Sequence, residues 1–175
     1  MGNIPLILKA LAFAAHKHRD QRRKNVEASP YINHPIELAK VLSNEGGIIS
    51  SDLLCAALLH DTVEDTQTTQ EELLENFGPE ITHIVLEVTD DTTKPKAERK
   101  RLQIEHASTI SYHARLVKLA DKICNLRDMT HSPPKNWSLE RRREYFDWAQ
   151  QVIHQMQGTH PQLEALFEAT YRQRP

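Results

Sequence analysis

The stretch LLCAALLHDTVEDT, residues 53–66, has the most influence on how this sequence is interpreted. Its apolar first half leads directly into four ionisable side chains: His60, Asp61, Glu64 and Asp65. If one helix continues to Asp65, residues four apart share a face, so the second pair lies one turn beyond the first. Three carboxylates then crowd the C-terminal end of a helix, where the helix dipole disfavours anions. Such a conflict is typical of a functional site, and a divalent cation held by His60 and Asp61 would remove it.

The composition is that of one globular domain. The chain has 175 residues, of which 39% are hydrophobic and 26% are charged. Its formal net charge of -2 provides no general attraction to nucleic acid or anionic lipid. No apolar run approaches the roughly 20 residues of a membrane span, and the N-terminus lacks the features of a signal peptide. Cys55 and Cys124 lie in apolar helical patterns and are predicted to be buried, reduced thiols of a cytoplasmic protein.

Helical periodicity extends over nearly the whole chain, and no run shows sustained strand alternation. A helix is predicted over residues 4–19, and a polar loop follows over residues 20–33. The further predicted helices run from Pro35 to about Glu45, from Ser51 through the HD pair, from Thr68 to Gly78, onward from Pro79, from Lys96 to about His106, from Arg115 to Met129, from Ser138 to Gln157, and onward from Pro161. We therefore expect an all-α protein folded as a single compact helical bundle.

Three separated segments offer metal ligands: His34, the pair His60-Asp61, and Asp121. His34 precedes Pro35, which favours extended backbone at a helix entrance. Asp121 lies on the face of an otherwise apolar helix, where an unpaired carboxylate is costly. Two imidazoles and two carboxylates suit Mn²⁺, Fe²⁺ or Zn²⁺ better than a thiolate-rich set would. Taken singly, each residue is more often a capped or salt-bridged structural group, so the hypothesis depends on the whole set.

Six runs carry a family resemblance: RRK at 22–24, YINHP at 31–35, AALLHDTVEDT at 56–66, FGPEI at 77–81, VTDDTTKPKAERKR at 88–101 and LVKLADKICNLRDM at 116–129. With the order H…HD…D, they resemble the HD-domain metal-dependent phosphohydrolases, and more closely the hydrolase domain of the RelA/SpoT alarmone enzymes. C-terminal runs extend the resemblance over essentially the whole chain: NW at 136–137, REYFDWAQQV at 143–152 and MQG at 156–158. The chain is most similar to the stand-alone small alarmone hydrolases, the metazoan SpoT homologue type.

The resemblance implies one HD hydrolase domain over residues 1–175, with no synthetase or regulatory domain. It implies that one Mn²⁺ ion, with Zn²⁺ or Fe²⁺ as alternatives, is bound by His34, His60, Asp61 and Asp121. It implies that two further acids position or activate the water that attacks the 3′-diphosphate: Glu64 and Asp65. It implies nucleotide contacts from six residues: Arg23, Lys24, Lys96, Asn125, Arg141 and Tyr145.

On this resemblance we expect a cytoplasmic hydrolase that converts guanosine 3′,5′-bis(diphosphate) to GDP and pyrophosphate, or the pentaphosphate to GTP. A second enzymatic interpretation keeps the site and changes the substrate to another ribose-phosphate nucleotide, such as the 2′-phosphate of NADPH. A third is a non-catalytic nucleotide sensor, which the ED pair disfavours because binding alone needs no base beside the water. A helical nucleic-acid-binding module is disfavoured by the net charge of -2.

Basic residues predict where the nucleotide lies. Lys and Arg are concentrated in the 20–33 loop and in the 94–101 segment, so we expect these segments to wall the pocket. The three consecutive basic residues at 99–101 cannot all face one pocket from a helix and are predicted to be solvated. Most other histidines, His18 among them, have no partner pattern and are assigned no role. Trp148 is predicted to pack in the interior and not to bind.

Overall fold

A computed structural model describes residues 3–175, and within them the chain forms helices and no β-strand. The helices are α1 (Ile4–Lys17), α2 (Asn33–Lys40), α3 (Ser51–Leu59), α4 (Thr62–Asp65), α5 (Gln70–Val88), α6 (Lys96–His106), α7 (Tyr112–His131), α8 (Leu139–His154) and α9 (Pro161–Tyr171). A π-helical turn, Val41–Glu45, continues α2. The expected all-α class is confirmed, and most predicted helices agree with the observed ones within a few residues.

Local capping explains where many of these helices begin. In five of them a side-chain oxygen of the preceding residue accepts a first-turn backbone N–H, and these capping residues are Asn3, Ser50, Thr69, Ser111 and Ser138. Such caps satisfy backbone donors that have no partner inside the helix. Within α5, Gly78 has φ 79° and ψ 174°, so the two halves of α5 meet at a sharp break before Pro79.

The prediction that the helix from Ser51 runs through the HD pair is wrong, and the condition that it continues to Asp65 is not met. Helix α3 ends at Leu59, the HD pair forms a turn, and the four-residue α4 begins at Thr62. Two side chains donate hydrogen bonds to backbone carbonyls at this point. The Thr62 hydroxyl donates to Leu59 O over 2.6 Å, and His60 Nδ1 donates to Ala57 O over 2.8 Å. These side-chain hydrogen bonds compete with helix continuation. The turn therefore redirects the chain where the functional side chains begin.

Helices α3 and α7 are the two central helices. Helix α3 packs against α1, α2, α5 and α7, and α7 packs in addition against α2, α5, α8 and α9. Their apolar side chains form much of the buried core, which includes both cysteines as free thiols. In the described part of the chain, no helix is both long and apolar enough to cross a bilayer. Because α3 and α7 are surrounded by other helices, polar groups on them meet inside the protein.

Candidate active site and metal centre

Three chain segments bring together side chains of the types that can bind a metal ion. His34 lies in the first turn of α2, His60 follows α3, and Asp121 lies in the middle of α7. One ligand atom from each of these residues lies within 4.8 Å of the others. His34 Nε2 is 3.1 Å from Asp121 Oδ1, and His60 Nε2 is 4.0 Å from the same oxygen. Asp61 adjoins this cluster through its Oδ2, which is 2.9 Å from His60 Nε2.

The hydrogen bonds of His60 test whether this cluster fits a cation. Because Nδ1 donates to Ala57 O, the neutral ring presents a lone pair at Nε2. Nε2 is buried and has no hydrogen-bond partner, although it lies close to Asp61 Oδ2. A lone pair beside a carboxylate oxygen is unfavourable without positive charge between or near them. A backbone carbonyl that fixes the ring tautomer is also a common feature of metal-binding histidines, so these residues fit a divalent ion.

The pKa shifts of the cluster residues also indicate that its carboxylates attract a positive charge. Burial lowers the pKa of His60, but the neighbouring carboxylates of Asp61 and Asp121 outweigh it and raise this pKa to about 9. Burial favours the neutral form of Asp121, yet Lys122 and His34 hold its pKa well below the usual range. The protein groups thus keep anionic oxygens ionised inside the fold. Metal ions and protons compete for such sites, so metal binding here is expected to displace a proton.

The two acids after the HD pair lie beside this cluster but have different partners. Glu64 Oε2 accepts a hydrogen bond of 2.9 Å from the Asp90 backbone N–H, and its Oε1 is 3.5 Å from Arg99. Asp65 Oδ2 accepts a hydrogen bond of 3.0 Å from Gln21 Nε2. Burial raises the pKa of Glu64 to about 7, and the nearby Asp90 carboxylate adds to this. The two carboxylates are therefore held by different parts of the chain.

Two buried lysines, Lys118 and Lys122, were not predicted from the sequence. Lys118 is 7% exposed and Lys122 is 4% exposed, and both line the cavity that contains the metal cluster. Lys122 Nζ lies 3.0 Å from Asp121 Oδ2. Burial and the charge of Lys122 lower the pKa of Lys118 to about 8. The available signal was a polar stripe at positions 118, 121, 122 and 125 of an otherwise apolar helix.

A cavity of about 580 Å³ opens beside the cluster. Four of the residues expected to contact the nucleotide line it: Arg23, Lys24, Asn125 and Tyr145. Asn125 Nδ2 also donates a hydrogen bond of 2.7 Å to Asp121 Oδ1, so it joins the cavity wall to the cluster. Arg23 forms an ion pair with Asp128. This volume is within the range of small-molecule sites.

The other two residues of that set lie in a neighbouring groove. Lys96 and Arg141 line a groove of about 470 Å³ that shares Trp137 with the larger cavity. The Lys96 Nζ is 5.5 Å from the centre of the Trp137 ring, and the Arg141 guanidinium carbon is 4.2 Å from it. These are cation–π contacts that orient positive charge at a surface. We call this groove, which is lined by Lys96, Arg141 and Trp137, the cationic groove. The 20–33 and 94–101 segments therefore face two adjoining spaces.

The structure corrects the expectation for two other residues, Arg99 and Lys100. Arg99 is half-buried beside Glu64, so the prediction that it is solvated is wrong. Lys100 is also half-buried, 4.9 Å from the Trp148 ring, whereas Arg101 is exposed and pairs with Glu105. Trp148 packs against the core as expected, but it is only half-buried and also lines the cavity that contains the cluster. The side chains of consecutive residues on a helix point in different directions, which explains why these residues have different environments.

Comparison with known proteins gives consistent matches. The HD domain family model matches residues 10–147. Guanosine-3′,5′-bis(diphosphate) 3′-pyrophosphohydrolase MESH1 of Xenopus tropicalis is 57% identical over 163 residues, covering 93% of this chain and 91% of the relative. The human protein of the same name is 54% identical over 168 residues, covering 96% and 94%. A solved structure, described as a metazoan ortholog of SpoT that hydrolyzes ppGpp and plays a role in starvation responses, has a TM-score of 0.94 and 47% identity, covering 97% of this chain and 95% of that one.

Proposed function

The chain belongs to the HD domain family, and from this membership we propose that it is a guanosine-3′,5′-bis(diphosphate) 3′-pyrophosphohydrolase. It uses one water to break the bond between the 3′ oxygen and the diphosphate. The products are pyrophosphate and GDP, or pyrophosphate and GTP when the substrate is the pentaphosphate. The relatives that carry this activity in their names cover more than nine-tenths of the chain. Residues 1–175 would then act as one hydrolase domain.

The proposed metal ligands are those of the buried cluster: His34, His60, Asp61 and Asp121. A bound divalent ion lowers the pKa of water and neutralises phosphate charge. Mixed imidazole and carboxylate ligands support Mn²⁺ as the ion, with Zn²⁺ or Fe²⁺ as alternatives. The observation that best supports a metal-dependent hydrolase is the buried, unpartnered Nε2 of His60 among carboxylate oxygens.

Glu64 and Asp65 are proposed to orient the attacking water and accept its proton. A general base works best when its pKa lies near the working pH, and the pKa of Glu64 is raised to about 7. Asp65 has one oxygen held by Gln21, which leaves its other oxygen available to a ligand in the cavity. A proton-accepting pair next to the proposed ligands also explains why a sensor that only binds nucleotide is the weaker interpretation.

The substrate carries two diphosphates, and the site offers two basic regions. In this proposal Arg23, Lys24, Asn125 and Tyr145 contact the nucleotide in the larger cavity. The cationic groove, with Lys96 and Arg141, takes negative charge that extends beyond Trp137. Arg and Lys stabilise phosphate oxygens by charge-assisted hydrogen bonds. The buried Lys118 and Lys122 bring further positive charge close to the reacting diphosphate.

A cytoplasmic location is also part of the proposal. Cys55 and Cys124 are free and buried, which is usual in a reducing compartment. The expected partner is a small nucleotide, with neither nucleic acid nor membrane, because the formal net charge is -2.

The test uses protein stripped of metal and then reloaded with Mn²⁺, Zn²⁺ or Mg²⁺. Each form is assayed on guanosine 3′,5′-bis(diphosphate), the pentaphosphate and NADPH, with pyrophosphate and orthophosphate measured separately. We expect pyrophosphate release from the guanosine substrates, fastest with Mn²⁺. Orthophosphate release from NADPH, without pyrophosphate release from either guanosine nucleotide, would contradict the proposed function.

A further inference from the structure

A buried histidine outside the metal cluster is connected to one of the two candidate acids. His18 lies just beyond α1 and is 2% exposed. Its Nδ1 is 2.6 Å from Gln21 Oε1, and Gln21 Nε2 donates to Asp65 Oδ2 over 3.0 Å. These three side chains form a continuous run of hydrogen bonds from the protein interior to the active-site cavity.

The donor and acceptor roles in this run are determined by chemistry. An ionised carboxylate only accepts hydrogen bonds, so the amide nitrogen of Gln21 must face Asp65. The amide oxygen then faces His18 and accepts, so His18 Nδ1 must carry a proton. His18 Nε2 is buried and has no hydrogen-bond partner within residues 3–175, as expected for the unprotonated nitrogen of that tautomer. The Asp65 carboxylate and the Nδ1–H of His18 therefore require the same orientation of the Gln21 amide and hold it from both sides.

The backbone of Gln21 is held by hydrogen bonds through both its N–H and its carbonyl. Its N–H donates to His18 O over 2.9 Å, and its carbonyl accepts from the Tyr31 N–H over 3.1 Å. The Tyr31 ring lies against His18, with 4.8 Å between ring centres, and the Tyr31 hydroxyl donates to Asp61. A substitute for His18 must therefore be of similar size, so that the packing of Tyr31 beside Asp61 is kept while the hydrogen bond to Gln21 is changed.

We propose that His18 and Gln21 are positioning residues that orient the Asp65 carboxylate for hydrolysis. One oxygen of Asp65 is occupied by Gln21, so the other keeps a constant direction toward ligands in the cavity that Asp65 lines. The inference depends on the proposed function, since it assumes that Asp65 acts on the attacking water. His18 does not line that cavity, so it would orient Asp65 from outside the cavity, through Gln21.

The test compares two substitutions of similar size. The amide of His18→Asn retains a donor near the position of Nδ1, whereas His18→Leu has none. We expect His18→Leu to lower kcat about 10-fold, which corresponds to the loss of one hydrogen bond, with KM and bound Mn²⁺ nearly unchanged. His18→Asn should keep kcat close to that of the unaltered protein. Equal losses in both variants would show that packing is what matters and would overturn the proposal.

A double substitution identifies the route of action. If His18 acts through Asp65, His18→Leu should cause no further loss of kcat in protein that already carries Asp65→Asn. Losses that multiply would place the action of His18 elsewhere and contradict the relay.

Nuclear magnetic resonance of ¹⁵N-labelled histidine tests the relay without any assay of activity. We expect His18 to be protonated at Nδ1 near neutral pH, and protonation at Nε2 alone would refute the assigned hydrogen bonds. Failure to hydrolyse guanosine 3′,5′-bis(diphosphate) would instead contradict the proposed function and would leave this tautomer measurement intact. The two ideas can therefore fail separately.

Discussion

The metal cluster and the cationic groove place charge in opposite environments. In the cluster, His34 and His60 are buried, and their Nε2 atoms lie close to the carboxylates of Asp121 and Asp61. In the groove, Lys96 and Arg141 are exposed and lie over the face of Trp137. Buried charges interact strongly and depend on their partners, whereas exposed charges are screened by water and salt. Substitutions in the cluster should therefore remove the chemistry, and substitutions in the groove should weaken binding gradually.

The largest effect is expected for Asp121→Ala. This change removes a ligand and leaves the buried ammonium of Lys122 without its carboxylate partner, at a typical cost of about 3–5 kcal/mol of folding stability. Hydrolysis should fall by at least about 10³-fold because metal binding is lost. Elemental analysis and thermal unfolding measure the two effects. Asp128→Ala, on the same helix, is the matched control and should keep its metal. Normal metal content in Asp121→Ala would rule out this ligand assignment.

The next effect concerns Glu64→Gln and Asp65→Asn, which remove charge and keep shape. Loss of a general base typically lowers the rate about 10²–10⁴-fold. We expect at least one variant to lose kcat to this extent while metal content and nucleotide binding are retained. Asp20→Asn changes an exposed acid nearby and should behave as the unaltered protein does. Near-normal kcat in the double variant would mean that the ED pair has a structural role only.

A smaller effect is expected for the basic residues of the two binding regions. Arg23→Ala and Lys96→Ala should each raise KM about 10-fold, the usual size for loss of a hydrogen bond to a charged group, with little change in kcat. Added salt should reduce the Lys96 effect more, because Lys96 is exposed. Arg101→Ala, on the same helix but paired with Glu105, provides the control. Unchanged kcat/KM in both variants would mean that the nucleotide lies elsewhere.

The smallest effect is a gain in stability from Lys118→Met. Burial lowers the pKa of Lys118 from 10.5 to about 8. Carrying this charged side chain into the fold therefore costs stability at pH values below about 8. Metal-stripped Lys118→Met should melt a few degrees higher at pH 7, while hydrolysis by the metal-loaded variant falls. Lys135→Met, at an exposed site, is the control.

The dependence of this gain on pH follows from linkage. Between pH 8 and 10.5 the unfolded chain binds the Lys118 proton more tightly than the folded chain. Stability of the unaltered protein therefore rises with pH in that window, and the advantage of Lys118→Met should shrink. A melting-temperature gap that is constant from pH 7 to 10.5 would contradict the lowered pKa.

Local sequence patterns were sufficient to predict most of the helices. A capping residue such as Ser138 acts on a backbone group three residues away, so its effect can be inferred without knowing the fold. The same holds for the apolar stripe of α7 and for the break at Gly78. The ligand set and the ED pair came from a resemblance between motifs, and the structure brings His34, His60 and Asp121 within reach of one ion.

The sequence alone therefore determined most helix positions and the all-α class, because these depend on spacing along the chain, and the resemblance between motifs indicated the candidate acids. Tertiary structure decided that Lys118 and Lys122 are buried and that Arg99 approaches Glu64. It also decided that Gln21 reaches Asp65, 44 residues away. Burial and long-range hydrogen bonds depend on how distant segments pack, and no periodic pattern in a single chain encodes those partners.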